Sequence, residues 1–188
     1  MSTFAINVGG DIFADIPADV DTVTVIAHGV NTRGVMGGFA GLIDKRFPVD
    51  AAQYRAACSH AAVAPGRAFI TGTDDAPEGP NLWIAHVASQ REPGPDARVE
   101  WLISGLNDMY EQLANDLGNE DARRVVVRLP LIGGGIGGID PLVAAAVIRT
   151  AAEQAYIAGD DIHTALYLLD SDPATESIVA ALGGADRE

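Results

Sequence analysis

Val25–Phe47 reads VIAHGVNTRGVMGGFAGLIDKRF, and the order of its three parts has a physical consequence. The apolar run VIAHG has the β-branched, near-continuous character of a strand covered on both faces. The glycine-rich loop NTRGVMGG follows, and then a helix beginning near Met36, with Phe39, Leu42, Ile43 and Phe47 at helical spacing. Val125–Ala146 repeats the plan as VVVRLP, LIGGGIGGID and PLVAAA. Each segment sets glycines between the C-terminal end of a strand and the N-terminus of a helix. Main-chain N–H groups and the positive end of a helix dipole can hold an anion there. Two such loops facing one another make a cleft for a ligand with more than one phosphate.

Outward from these segments, strands and helices alternate. Strands are expected at Phe4–Val8, Val23–Ala27, Ala68–Thr71, Leu82–Ala88, Val125–Leu129 and Ile162–Leu169. Helices are expected from Met36 to Phe47, over 49–62, from a cap near Asp96 to Leu117, from about Asp140 to Ala158, and in a short terminal turn opened by Pro173. The third carries the clearest periodicity, with Val99, Leu102, Ile103, Leu106, Met109, Tyr110 and Leu113 on one stripe, and Gly118-Asn119 stops it. This alternation predicts an α/β fold with helices on both faces of a sheet. Ligands of such folds sit outside the carboxyl ends of the strands, where both glycine loops lie. Residues 1–188 read as one domain with a frayed tail at 183–188, without repeats or linkers.

Composition narrows the partners. A net charge of −14 over 188 residues argues against nucleic acid and against an anionic membrane surface. The single cysteine, Cys58, forms neither an intrachain disulfide nor a cysteine-based zinc site. MSTFAINVGG lacks a basic region followed by an apolar run, and no stretch approaches ~18 uninterrupted apolar residues, so the expected location is cytoplasmic. His60, His86 and His163 show no metal-ligand spacing, and no metal or cofactor is expected. Lys45 is the only lysine; the other eleven basic residues are arginines.

Glycine-rich turns also exist for tight packing alone, and neither loop is a P-loop, since no Gly-Lys-Ser/Thr follows the glycines. A glycine-rich turn by itself does not make the second loop a dinucleotide fingerprint, and a plain NAD-dependent dehydrogenase is disfavoured.

Three ordered motifs point to a family. IAHGVNTRGVMGGFAGLIDKRFP resembles the first signature of the macrodomain superfamily, LPLIGGGIGGID resembles its second, and Gly10-Asp11-Ile12 resembles the tripeptide that opens these domains. The resemblance covers almost the whole chain and looks most like the single-domain bacterial and phage branch associated with ADP-ribose-1″-phosphate processing. It implies a three-layer α/β/α fold around a central mixed sheet, with ADP-ribose or a related nucleotide as ligand. By the same resemblance, Asp11 accepts a hydrogen bond from the adenine amino group with Ile12 packed nearby, and Asn31 contacts the distal ribose. Gly34, Val35, Met36 and Gly37 wall that ribose and the diphosphate. Gly133, Gly134, Gly135, Ile136, Gly137, Gly138 and Ile139 surround the phosphates, and Leu168, Leu169 and Asp170 border the adenine.

Some of these residues have plainer readings. Asp11 after two glycines also suits a turn, His28 at the end of a buried strand also suits a satisfied core histidine, and Asp140 also suits a helix N-cap. Asn31, His28 and Asp140 are the candidate catalytic residues for a phosphatase, with His28 as general acid or base. One hydrolytic group of the superfamily uses a lysine and an aspartate at positions that here align with Gln90 and Gly137, so a lysine-adduct mechanism is disfavoured. A non-catalytic binder of ADP-ribose or another NAD-derived nucleotide is the alternative, and a de-ADP-ribosylating hydrolase a third reading. Trp83 and Trp101 read as packing residues.

Overall fold

The computed structural model describes residues 4–17, 21–72, 81–117, 124–157 and 162–183. In chain order these form β1 (Phe4–Val8), β2 (Thr22–Asn31), α1 (Phe39–Arg46), α2 (Pro48–Ser59), β3 (Ala68–Gly72), β4 (Leu82–Gln90), α3 (Val99–Leu117), β5 (Arg124–Pro130), α4 (Pro141–Ile157), β6 (Ile162–Leu168) and α5 (Thr175–Leu182). The strands make one mixed sheet in the order β1-β6-β5-β2-β4-β3, all neighbours parallel except β3 against β4.

Alternation along the strands builds a core on each face. Val23, Val25 and Ala27 of β2, Ala85 and Val87 of β4, and Val125, Val127 and Leu129 of β5 pack with α3, α4 and α5. Ile26 and Ile84 point the other way, toward Ile43 and Phe47 at α1. The result is a three-layer α/β/α sandwich. Leu102, Leu106, Met109 and Leu113 of α3 are fully buried, each contributing about 2 kcal/mol of burial free energy. Gly105 lets α3 approach the sheet, because a Cβ there would stand 2.9 Å from Val87 Cγ1. On α4, Ala144, Ala145, Ala151 and Ala152 serve the same close approach.

Several expected boundaries move for identifiable reasons. β2 runs four residues beyond Ala27, through Gly29 to Asn31. A glycine inside the strand is needed because loop residue Ile132 sits where a Cβ would go, its Cγ2 only 2.8 Å away. α1 starts at Phe39, not Met36, because Gly38 has φ +53°, outside helical space. α3 starts at Val99; Asp96 instead accepts hydrogen bonds from Arg91 and Glu92 N–H, both at 2.9 Å, and shapes the preceding loop. α5 starts at Thr175, while Pro173 lies in the turn before it, where Asp172 Oδ1 accepts from Ala174 N–H at 2.9 Å. The expected stop at Gly118-Asn119 and the tail beyond Gly183 lie outside the described residues. No helix among the described residues is long and apolar enough to cross a membrane.

Candidate functional site

A cavity of about 590 Å³ opens at the carboxyl ends of the parallel strands. The sheet order sets its two ends. At one, Asp11, Ile12 and Phe13 follow β1, while Tyr167 and Leu168 end β6 and Leu169 follows it. At the other, Gly29, Val30 and Asn31 end β2, Gln90 ends β4, and Pro93 and Gly94 follow it. Val35, Gly37 and Gly38 come from the loop after β2, and Gly133, Gly135, Ile136 and Gly137 from the loop after β5.

The β5–α4 loop is folded on itself by Gly134 N–H to Leu131 O, Gly138 N–H to Gly135 O and Ile139 N–H to Gly133 O. These bonds leave the N–H groups of Gly133, Gly135, Ile136 and Gly137 with no partner among the described residues. A loop of such donors is an anion-binding concavity. Across the cavity, the N-terminus of α1 has no side-chain cap, so its first N–H groups and the positive end of its dipole face the same space. Ile136 bridges the two loops: its Cδ1 lies 2.8 Å from where a Gly38 Cβ would stand, and Gly38 has none. No arginine or lysine is among the residues lining the cavity. An anion at these loops meets main-chain N–H groups and neutral side chains, and no cationic one among the lining residues.

α4 is different. Asp140 Oδ1 accepts from Leu142 N–H at 2.9 Å and Val143 N–H at 3.1 Å, so this helix already carries its anion. Asp140 does not line the cavity. The candidate catalytic acid is an N-cap, and the second anion site is the loop rather than the helix end.

Asn31 organises the loop after β2. Its Nδ2 donates to Val35 O at 2.6 Å, while its Oδ1 accepts from Arg33 N–H at 2.9 Å and Val35 N–H at 3.2 Å. With the oxygen engaged twice and one of two N–H donors used, the side chain retains one donor for a ligand. It can orient a hydroxyl, but it has no basic atom with which to take a proton.

His28 lies one strand position further from the cavity than Gly29 and faces the opposite side, toward α1 and α2. It is 0% exposed, and its Nε2 is 2.8 Å from Nδ1 of the register-paired His86. Burial, reinforced by His86, drives its pKa well below the ordinary histidine value and keeps it neutral. The expectation of a catalytic His28 is therefore corrected: the ring belongs to the core and does not line the cavity.

Five expected wall residues also stand back from the cavity, among them Ile139, buried against Gly133. Gly34, at φ +76°, faces Arg55 and Cys58 of α2; Gly134 faces Leu131 and Ala144; Gly138, at φ +83°, rests on Pro95. Met36 is packed between the two apolar clusters on the α1/α2 side. Asp170 does not line the cavity, whereas Asp11, Ile12, Asn31, Val35, Gly37, Gly133, Gly135, Ile136, Gly137 and Leu169 do. Phe13, Phe39, Tyr167 and Asp172 line it unforeseen. The first two rings are 5.8 Å apart and nearly parallel, but at spacings that read in the sequence as turn and core. Trp83 and Trp101 do not line the cavity; Trp101 instead carries the guanidinium of Arg98 at 4.4 Å and that of Arg91 at 5.6 Å. Among the described residues no group of three or more His, Cys, Asp or Glu is arranged to hold a metal ion.

The Asp11 end is set by a buried cation. Asp11 Oδ1 accepts from Phe13 N–H at 2.9 Å. Beneath it, Arg128 of β5 donates to the main-chain carbonyls of Ile12, Ala14 and Asp15. Arg128→Leu strands these carbonyls and frees the loop. The expected result is a loss of roughly 3 kcal/mol in a urea melt, at about 1–3 kcal/mol per buried group left unpaired, with weaker binding of any ligand that engages Asp11. An unchanged melt would show that the loop does not depend on this residue.

The Macro domain family model matches residues 27–148. Among solved structures, the macrodomain of Thermus aquaticus DarG is 25% identical with a TM-score of 0.69, covering 88% of this chain and 99% of its own. A macrodomain protein from Streptomyces coelicolor is 24% identical with a TM-score of 0.65, at 88% and 98% coverage. The Trypanosoma brucei macrodomain, solved in complex with ADP-ribose, is 15% identical with a TM-score of 0.67, at 96% and 69% coverage. No curated protein matches the chain. A family match over well more than half of the sequence, on the fold and across both glycine loops, places the chain in the macrodomain family.

Proposed function

We propose that this macrodomain binds ADP-ribose, and that it acts as a binding module rather than as a hydrolase. The observation that carries the reading is the pair of facing anion sites built from main-chain N–H groups: four unpartnered amides of the β5–α4 loop and the uncapped N-terminus of α1. Two sites suit a diphosphate. The adenine belongs at the β1/β6 end, where Asp11 keeps Oδ2 for the amino group and Ile12, Phe13 and Tyr167 supply apolar surface. The distal ribose belongs at the β2/β4 end against the remaining Asn31 donor, with Val35 and Gln90 beside it. The structurally similar Trypanosoma brucei macrodomain, solved in complex with ADP-ribose, supports the choice of ligand, as does Thermosipho africanus DarTG in complex with ADP-ribose, of which this chain matches 40%.

The choice of binder over hydrolase rests on what lines the distal end. The titratable side chains of the cavity wall are Asp11, Tyr167 and Asp172, all at the adenine end. Asn31, Gln90, Pro93 and Gly94 offer neither a nucleophile nor a base. Hydrolysis of ADP-ribose-1″-phosphate is the second reading, and it would have to proceed by substrate-assisted attack of water on a phosphate oriented by the loops. A lysine-dependent glycohydrolase is disfavoured because Gln90 stands where the lysine would be and Lys45 sits exposed in the last turn of α1. The single free Cys58 fits a cytoplasmic setting.

Calorimetric titration with ADP-ribose beside AMP, followed by a phosphate-release assay on ADP-ribose-1″-phosphate, tests the reading. Micromolar ADP-ribose binding, tighter than AMP and without phosphate release, is the expected result; absence of ADP-ribose binding would overturn it. Because main-chain dipoles do the holding, the affinity is expected to change by less than about twofold between about 50 and about 500 mM salt. A steep fall would point to arginine side chains at the phosphates.

A further inference from the structure

Beneath Asn31 lies a polar column that the sequence does not announce. Tyr54 of α2 is fully buried, and its hydroxyl donates to the main-chain carbonyl of Asn31. Its ring stacks on His86 at 4.8 Å and 12°, and His86 is hydrogen-bonded to His28 at 2.8 Å. Burial pushes the phenol's pKa upward, so it remains a donor at all working pH values. The Asn31 side chain in turn fixes Arg33 and Val35 N–H. A change at Tyr54 thus reaches the loop wall through the Asn31 carbonyl, 23 residues away in sequence.

We infer that Tyr54 is a positioning residue for the distal half of the cleft, clamping the end of β2 so that the Asn31 amide meets the sugar hydroxyls beyond the diphosphate. Tyr54 does not line the cavity and touches no ligand there. Its contribution is selective, because Asp11, Phe13 and Tyr167 at the adenine end are held by other elements, Arg128 among them. The ligand class that senses the clamp is a nucleoside diphosphate carrying a further sugar; a nucleoside monophosphate does not reach it. This inference rests on the ADP-ribose reading for its ligand, but not for its geometry.

Tyr54→Phe keeps the ring stack on His86 and removes the hydroxyl. Its expected signature is split: ADP-ribose affinity falls about fivefold, the effect of one displaced hydrogen bond, while AMP affinity stays within error. A second readout needs no ligand. Amide hydrogen exchange at Arg33 and Val35 accelerates in the variant, while exchange along β5 is unchanged. Equal losses for AMP and ADP-ribose, or unaltered exchange at Arg33 and Val35, would overturn the positioning role. If wild-type protein fails to bind ADP-ribose, the functional reading falls and the exchange experiment still decides the clamp. Tyr54→Leu, which also loses the stack, separates general unfolding from the clamp: exchange there is expected to rise across β2 and β4 together.

Discussion

Gly37→Glu is expected to abolish ADP-ribose binding, weakening it at least about a hundredfold, while the thermal midpoint moves by no more than about 2 °C. Gly37 lines the cavity, has no positive φ, and offers open space where a Cβ would go, with nothing within 4 Å. A side chain enters without strain and places a carboxylate where the phosphates belong. Like charges a few ångströms apart in a partly dry cleft cost several kcal/mol, and the carboxylate itself competes for the α1 N-terminus. Gly135→Glu tests the facing loop by the same logic, since Gly135 also lines the cavity with nothing within 4 Å.

The neighbouring glycines make poor probes. A Cβ at Gly134 would stand 2.6 Å from Leu131 Cδ2 and faces away from the cavity; one at Gly137 would stand 2.9 Å from Gly133 O and 2.7 Å from Ala97 Cβ. Lost binding there would report a displaced loop. Titration of Gly37→Glu beside its thermal melt checks the prediction. Retained binding with an intact fold would remove the α1 N-terminus from the site.

That distinction among glycines shows where sequence reading stops. The two strand–loop–helix segments, the alternation of elements and the position of the cleft were legible because periodicity and glycine placement are local signals. Which glycine faces the cavity was not, because that depends on how Leu131 and Ile139 fold back within the loop and on Pro95 and Ala97 packing against it from elsewhere. His28 and Asp140 show the same limit from the other side. A histidine at the end of a buried strand and an aspartate before a helix are ambiguous until the register-paired His86 and the N–H groups of Leu142 and Val143 are seen beside them. Arg128 and Tyr54 gave no signal at all. Each acts on a loop distant in sequence, Arg128 across 113–116 residues and Tyr54 across 23.

The buried histidine pair carries the second large effect. His28 Nδ1 and His86 Nε2 are buried without hydrogen-bond partners, and the pair is enclosed by Tyr54, Phe39 and Phe69. Burial lowers the His86 pKa to about 3 and that of His28 well below its ordinary value. The unfolded chain takes up protons at both rings as pH falls through about 6.5, whereas the folded chain does not, so stability must rise with pH across this window. The contribution is intact above the unfolded value and is lost progressively as pH falls from about 6.5 toward the folded values. Integration gives roughly 2 kcal/mol per histidine by pH 5, about 4 kcal/mol for the pair, a large share of the ~5–15 kcal/mol typical of a domain. Nearby Asp50 opposes the trend, since burial raises its pKa and folding there favours the protonated acid. Urea midpoints between pH 7.5 and 5 are therefore expected to fall steeply, and His86→Phe, which keeps a ring against Tyr54, should roughly halve the slope. A wild-type profile flat over that range would mean that the rings are protonated in the folded protein. Because both rings stay neutral in the folded protein over this range, the Tyr54 clamp on Asn31 is unchanged, and ADP-ribose affinity should hold until the domain unfolds.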